Sequence, residues 1–517
     1  MSKQTLIQGT IILIIAGLIT RVLGFVNKMV VARIMGQEGV GLYMMAVPTL
    51  LLALTLTRLG LPVAISKLVA EADARGDRRN IRKILIVSLA VTGVLSILIT
   101  VSMIALAPLL SQYFFTDHRT FYPLIAIAPV IPVVAISSVL RGYFQGLQNM
   151  RPSAYSQVIE QVVRITLVAL LTGWLLPYGV EYAAAGAMIS VIIGELASLL
   201  YMFSMFKMKK SMKIRKGFFT QLKGGRQTLN ELLSIALPTT GSQLIGSVSY
   251  FFEPIVVARS LAIAGVTTAM ATKQYGELAG FVIPLLFLPT FITYSLSVSL
   301  VPAISEANAQ KKYSVIEHRL NQAIRLSMLS GGLAAVITFV YAEPIMDLMY
   351  DSPATASYVK VMTPLFFFLY FQGPLQAVLQ ALNLARAAMI NSLIGAAVKL
   401  AAIFALATRP EFGIMGAALG IVLGIVVVTV LHFATVAKAI SYTIVAGEFA
   451  RCILCITATG AGSLYLYTYI FPKFSQSIGT AVCILATIFL YLFLLVFFRL
   501  FLKEDAKHIP IIKKWVK

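Results

Sequence analysis

The chain has 517 residues, 59% of them hydrophobic and 12% charged, against about 45–50% and about 25% in soluble domains. A soluble chain this apolar would expose large apolar patches, so a soluble enzyme is excluded; disorder needs low hydrophobicity, and a transmembrane barrel needs alternating apolar residues in short strands. The formal charge of +22, from 42 Lys+Arg and 20 Asp+Glu, points either to nucleic acid or to basic loops on an anionic leaflet.

Continuous apolar runs about twenty residues long, enough for a helix to cross lipid, predict an all-α polytopic membrane protein with about fourteen transmembrane helices. In chain order the spans fall near 5–34, 40–66, 84–112, 121–141, 154–177, 182–206, 229–257, 278–303, 321–342, 356–382, 388–408, 413–437, 449–471 and 476–502. The first run is too long for a cleavable signal, and no small-residue cleavage site follows it, so it reads as a span.

The cations alternate between connections. Residues 67–83 carry Lys67, Arg75, Arg78, Arg79, Arg82 and Lys83, and residues 207–226 carry eight more. Arg141 and Arg151, Lys311 and Lys312, Arg386, Lys438 and the basic stretch after Arg499 fall on the same side. The opposite connections hold only Arg33, Arg119, Arg259, Lys273, Lys360, Arg409 and Lys473. The positive-inside rule then predicts that both termini are cytoplasmic, with anionic lipids as partners. It accounts for the basicity without nucleic acid.

The chain repeats itself. Val30-Val31-Ala32-Arg33 recurs as Val256-Val257-Ala258-Arg259, and Ala64-Ile65-Ser66 as Ala303-Ile304-Ser305. Gln145, Leu147, Arg151, Val163 and Arg164 recur in register as Gln380, Leu382, Arg386, Val398 and Lys399; Gly179, Ala183, Ala184 and Gly186 recur as Gly413, Ala417, Ala418 and Gly420. The copies lie six spans apart, which gives them the same orientation and predicts two parallel-related six-helix lobes. The expected divisions are an N-terminal lobe at 1–206, a basic linker at 207–228, a C-terminal lobe at 229–437, and two further helices with a basic tail at 438–517. Two such lobes around a cleft suit a transporter that works by alternating access. Gly416, Gly420 and Gly424 offer a smooth face for helix packing.

Charge inside the membrane is expensive, so it faces a partner or a wet cavity. Glu160 and Arg164, four apart, are expected to pair, and Glu195 to meet a cation on another helix. Arg21 and Lys28, almost two turns apart, point the same way from the first span. No acid lies within a turn of either, nor of Arg58 in the second. These three cations suggest an anion site; the alternatives are pairing across helices or, for Lys28, snorkelling to the membrane surface. In the second half, Glu253 precedes Pro254 in the seventh span, Glu277 begins the eighth, and Asn391 precedes Lys399 by about two turns in the eleventh. Either Glu253 binds a coupling Na⁺ or H⁺, or Lys399 neutralises it as a built-in cation. No cofactor and no metal site are expected: Cys452-x-x-Cys455 has no second pair, so these thiols and Cys483 read as buried and inert.

At Thr20-Arg21-Val22-Leu23-Gly24-Phe25, Val31-Ala32-Arg33-Ile34-Met35-Gly36 and Glu38-Gly39-Val40-Gly41-Leu42-Tyr43, the chain resembles the lipid-linked oligosaccharide flippases of the multidrug/oligosaccharidyl-lipid/polysaccharide exporter superfamily. Gly60-Leu61-Pro62-Val63-Ala64-Ile65-Ser66-Lys67, Arg141-Gly142-Tyr143-Phe144-Gln145-Gly146 and Gly373-Pro374-Leu375-Gln376-Ala377 are similar to a branch found in endospore-forming bacteria. The resemblance implies export of an undecaprenyl-pyrophosphate-linked peptidoglycan precursor for the spore cortex, beside cell-wall synthesis proteins. It implies that Arg21 matches a cavity cation of the family. The family's next cationic position falls on Asn27, with Lys28 beside it, and its eighth-span cation falls near Glu277. Two other readings stay open: a cation-coupled multidrug antiporter, which wants acidic cavity residues, and a membrane glycosyltransferase or polymerase, for which Asp117, Asp347 and Asp351 offer carboxylates.

Overall fold

The computed structural model describes residues 6–208, 225–440 and 446–500. The described residues form helices and short turns, without strands. Among the described residues, twelve segments are long and apolar enough to cross a membrane. The first, Ile15–Ala74, has 60 residues, about twice what one crossing takes, and is broken at Gly36 (φ 66°, ψ −173°). This backbone conformation suits glycine alone, and it separates the first expected span from the second. The stretch expected at 278–303 is helical in three pieces.

In chain order the helices are α1 (Leu6–Arg58), α2 (Leu61–Ala74), α3 (Arg78–Leu109), α4 (Phe121–Ile127), α5 (Val130–Gly146), α6 (Arg151–Leu175) and α7 (Val180–Met208). After the basic linker come α8 (Arg226–Ile263), α9 (Thr268–Gly276), α10 (Ile283–Phe287), α11 (Thr290–Ala309), α12 (Tyr313–Val340) and α13 (Ala342–Tyr350). The last are α14 (Ala356–Phe366), α15 (Leu369–Ala381), α16 (Ala385–Ala407), α17 (Gly413–Ile440), α18 (Ala446–Tyr465) and α19 (Gln476–Phe497). The chain forms two compact units, residues 1–281 with 403–417, and residues 282–402 with 418–517. The four-part division expected from the repeat is a reading of the sequence, and most of its 207–228 linker lies outside the described residues.

The repeat reappears in the backbone. α5 ends at Leu147 and left-handed Gln148 (φ 54°); α15 ends at Leu382 and left-handed Asn383 (φ 61°). Gly76 and Lys311, Thr116 and Asp351, and Gly179 and Gly413 are further corresponding residues with positive φ. Helices commonly stop on one left-handed residue that satisfies their last carbonyls, so the two halves share their stops as well as their motifs.

In the first unit, α2, α3, α5 and α7 close on a core containing Leu61, Ile65, Ile84, Tyr143, Phe144 and Met202. Gly142 and Gly146 of α5 lie against the Pro62 and Ser66 carbonyls of α2, where an added Cβ would sit 2.8 and 2.7 Å from the oxygens. In the second unit, α18 and α19 dock on α12. The Tyr341 hydroxyl meets Thr487 Oγ1 at 2.8 Å, and Tyr491 donates to the Leu329 carbonyl at 2.6 Å. Cys452 and Cys455 are buried in the same cluster as Met328 and Leu495. Leu485, Phe489, Phe493 and Val496 recur along one face of α19 and are 55–72% exposed, which suits contact with acyl chains.

Candidate anion site in the first unit

Three arginines and two glutamates from four helices meet inside the first unit. Arg141 of α5 donates through Nη2 to Glu160 of α6 at 3.3 Å, to Glu195 of α7 at 3.4 Å and to Ser198 at 3.3 Å. Arg164, one turn along α6, holds the other Glu160 oxygen at 2.5 Å, and Gln161 reaches that oxygen at 3.4 Å. Arg58, the last residue of α1, lies within electrostatic reach of Arg141, Glu195 and Glu160. The sequence-level pairing of Glu160 with Arg164 is present, and the cation expected to meet Glu195 is Arg141. Arg141, counted by sequence among the cations of one side, lies within α5, which continues past it to Gly146, and pairs with carboxylates of α6 and α7.

The pairing is incomplete by one charge. Glu160 and Glu195 are 7% and 6% exposed and together offset two of the three guanidinium groups. The Nε atoms of Arg58, Arg141 and Arg164 are each buried without a hydrogen-bond acceptor, and Gln161 Oε1 is buried without a donor. Buried polar atoms are rarely left this way in an empty interior. Three donors on delocalised cations suit a ligand rich in acceptor oxygens, which arginine can grip through two parallel bonds.

The first-span candidates lie along α1, which packs against α6: Gly24 faces the Gln161 side chain, with its Cβ position 3.9 Å from Oε1. One turn on, Asn27 is buried with its Oδ1 lacking a partner, and Lys28 is half-buried. Arg21 is exposed and engaged in an interaction of its own.

The second set of candidates is divided between the two units. Glu253, 4% exposed, sits in continuous α8 within electrostatic reach of Tyr250 and Tyr275, whose hydroxyl is buried without a partner. Glu277 opens a π-helical turn and is 8% exposed. In the second unit, Asn391 donates to Thr435 Oγ1 at 2.9 Å and meets His432 Nδ1 at 3.2 Å. Half-buried Lys399 packs its Cβ against Gly424. His432 carried no signal in the sequence, because its partner lies 41 residues away on another helix. The carboxylates available to an enzyme have structural tasks: Asp117 binds Arg119, Asp347 accepts from Gln476, and Asp351 is the left-handed stop of α13.

The family model described as a polysaccharide biosynthesis protein matches residues 6–308, and the MatE model matches residues 254–405. Stage V sporulation protein B of Bacillus subtilis (strain 168) is 59% identical over the full length of both chains. The lipid II flippase MurJ of the same organism is 24% identical over 77% of this chain and 76% of its own. A solved structure of lipid II flippase MurJ in an inward closed conformation superposes with a TM-score of 0.73 at 17% identity, covering 94% of this chain and 98% of that one. These relatives include flippases and transporters rather than enzymes, and the glycosyltransferase reading falls. The chain is an integral membrane protein that belongs to the polysaccharide biosynthesis protein family.

Proposed function

We propose that the protein is a flippase for a lipid-linked oligosaccharide, moving an undecaprenyl-pyrophosphate-linked peptidoglycan precursor across the bacterial plasma membrane for the spore cortex. Both termini lie in the cytoplasm in this reading, as the loop cations favour. The supporting observation is the set of three buried guanidinium Nε atoms without acceptors, beside a surplus positive charge. A pyrophosphate supplies the missing acceptors, with Arg58, Arg141 and Arg164 as donors and Arg21, Asn27 and Lys28 extending the site along α1. The similarity to a lipid II flippase supports the same class of substrate.

The test is binding of the purified protein in lipid nanodiscs to an undecaprenyl-pyrophosphate-linked disaccharide. Arg58→Gln and Arg21→Ala should each weaken binding about tenfold, since a hydrogen bond to a charged group contributes about 1.5–3 kcal/mol. Unchanged affinity in both folded variants refutes the anion site, and binding of organic cations in its place favours the antiporter. For the coupling role, Glu253→Gln should remove the dependence of transport on a Na⁺ or H⁺ gradient; unchanged gradient dependence assigns Glu253 to internal pairing.

A further inference from the structure

At the end of α3 opposite the Arg78–Lys83 cations, the first unit carries a cavity of about 580 Å³, lined by Pro108, Gln112, His118, Arg119, Tyr122 and Glu181 among others. Its size is that of a small-ligand site, and no residue of the arginine cluster lines it. Gln112 reaches it from a π-helical turn, Leu110–Phe114, a distortion frequent at functional sites.

The charge of the cavity selects its ligand. Arg119 is already committed: Nε and Nη2 bind Asp117 at 3.1 and 3.0 Å, and Nη2 also holds Glu38 at 2.7 Å. Glu181, half-buried in the first turn of α7, has no ion-pair partner among the described residues. Three carboxylates, Glu38, Asp117 and Glu181, thus stand against one guanidinium, a surplus that repels anions and attracts an ammonium group. Beside Glu181, the rings of Tyr122 and Tyr182 lie 4.9 Å apart and are 40% and 37% exposed; their faces favour a cation as well.

The fold does not require these side chains. The short helix His118–Thr120 and the start of α4 at Phe121 recur 235 residues later as Pro353–Thr355 and the start of α14 at Ala356. At the matching places the second copy has Pro353 for His118, Ala354 for Arg119 and Ser357 for Tyr122. Met415, two residues after Gly413, stands where Glu181 follows Gly179, and α17 has no acid in its first turn. The same helix starts form without the carboxylate and the ring, so the lining belongs to the first copy's chemistry.

The surroundings place the cavity at headgroup depth. Tyr113, Trp174 and Tyr178, at the same ends of α3 and α6, are 62–69% exposed, and Tyr and Trp gather where lipid meets water. Below the cavity, Val94, Ile97, Leu98 and Val101 are 57–62% exposed. Their spacing continues to Pro108 on one face of α3, an apolar track about 21 Å long that reaches past one leaflet's hydrocarbon, about 15 Å. A polar cavity above an apolar track fits one molecule with an ammonium head and an acyl tail.

We propose that this cavity binds the headgroup of an aminophospholipid, with its ammonium on Glu181 and the Tyr122 and Tyr182 faces, and its acyl chain along α3. The leaflet is the one away from the basic connections, the outer one by the positive-inside rule. The site is independent of the flippase reading. The test titrates the purified full chain in detergent with phosphatidylethanolamine, and with phosphatidylglycerol of the same chains, counting bound lipid by native mass spectrometry. Phosphatidylethanolamine should bind more tightly. Glu181→Gln should weaken it about tenfold, as loss of a hydrogen bond between charged groups implies, and Glu181→Met, which copies the second repeat, should do the same without unfolding. Tyr122→Ser should weaken it about threefold. Arg58→Gln, in the central cluster, should leave it unchanged, which separates this site from the anion site. Equal binding of the two lipids, or unchanged phosphatidylethanolamine binding in the Glu181 variants, overturns the proposal. So does an amine-bearing lipid-linked disaccharide whose binding depends on Glu181 when that of phosphatidylethanolamine does not, since the cavity would then serve the cargo.

Discussion

Arg141→Met probes the central charge cluster most directly. The substitution keeps the length of the side chain and removes the guanidinium that joins Glu160 to Glu195. Glu160 keeps Arg164 at 2.5 Å and Gln161 at 3.4 Å, so the burden falls on Glu195, which is 6% exposed. Glu195 then loses its charged hydrogen-bond donor, which costs about 1.5–3 kcal/mol, while Arg58 stays within electrostatic reach of it. At about 1–2 °C per kcal/mol, scaled to this chain length from smaller domains, the melting temperature should fall by about 2–6 °C. Glu195→Gln alone should cost about 1–2 kcal/mol, since Arg141 still holds Glu160. The double variant removes both partners of the Arg141–Glu195 bond and should be more stable than the sum of the two losses predicts, by about 1–3 kcal/mol. Thermal unfolding of the four purified proteins in one detergent gives the cycle. Additive losses, within about 0.5 kcal/mol, would refute the claim that these residues are coupled.

Two further outcomes follow from the close approach of α1 and α9 at Gly276 and from the hydrogen bond that Thr272 donates to Asp117. Gly276→Ala drives a methyl group into the Gln37 and Gly41 backbone, and should destabilise the protein by at least about 1–3 kcal/mol, read as a lower thermal midpoint and lower yield; a wild-type midpoint refutes the close approach. Burial by itself would raise the Asp117 carboxyl, but hydrogen bonds from Arg119 and Thr272 more than offset it and hold its pKa below the ordinary 3.8. A group depressed in the folded state stabilises above its unfolded pKa and loses that contribution as pH falls through the folded value. Asp117→Asn should therefore be less stable than the parent near neutral pH. The gap should narrow once pH drops below about 3.9, as thermal midpoints across a pH series would register. A gap that is constant with pH would contradict an ionised, hydrogen-bonded Asp117.

The membrane class was legible because a helix in lipid must satisfy its backbone internally and present apolar side chains over a fixed length, and composition alone carries that requirement. The repeat was legible because the same residues recur in register in both halves, among them Gly179 and Gly413, which both carry positive φ. The Glu160–Arg164 pair was legible because four residues make one turn. Contacts between helices were not. Arg141 sits close to the end of a run, where hydropathy cannot tell a loop cation from a buried one. Its partners Glu160 and Glu195 lie 19 and 54 residues away. Asp117 and Thr272 are 155 residues apart, and nothing local to either announces the other. Chain order sets which side chains share a helix face; the packing of α1 with α6 and α9, and of α5 with α6 and α7, decided which charges meet, because ion pairing and close approach depend on distances across helices that sequence spacing does not contain.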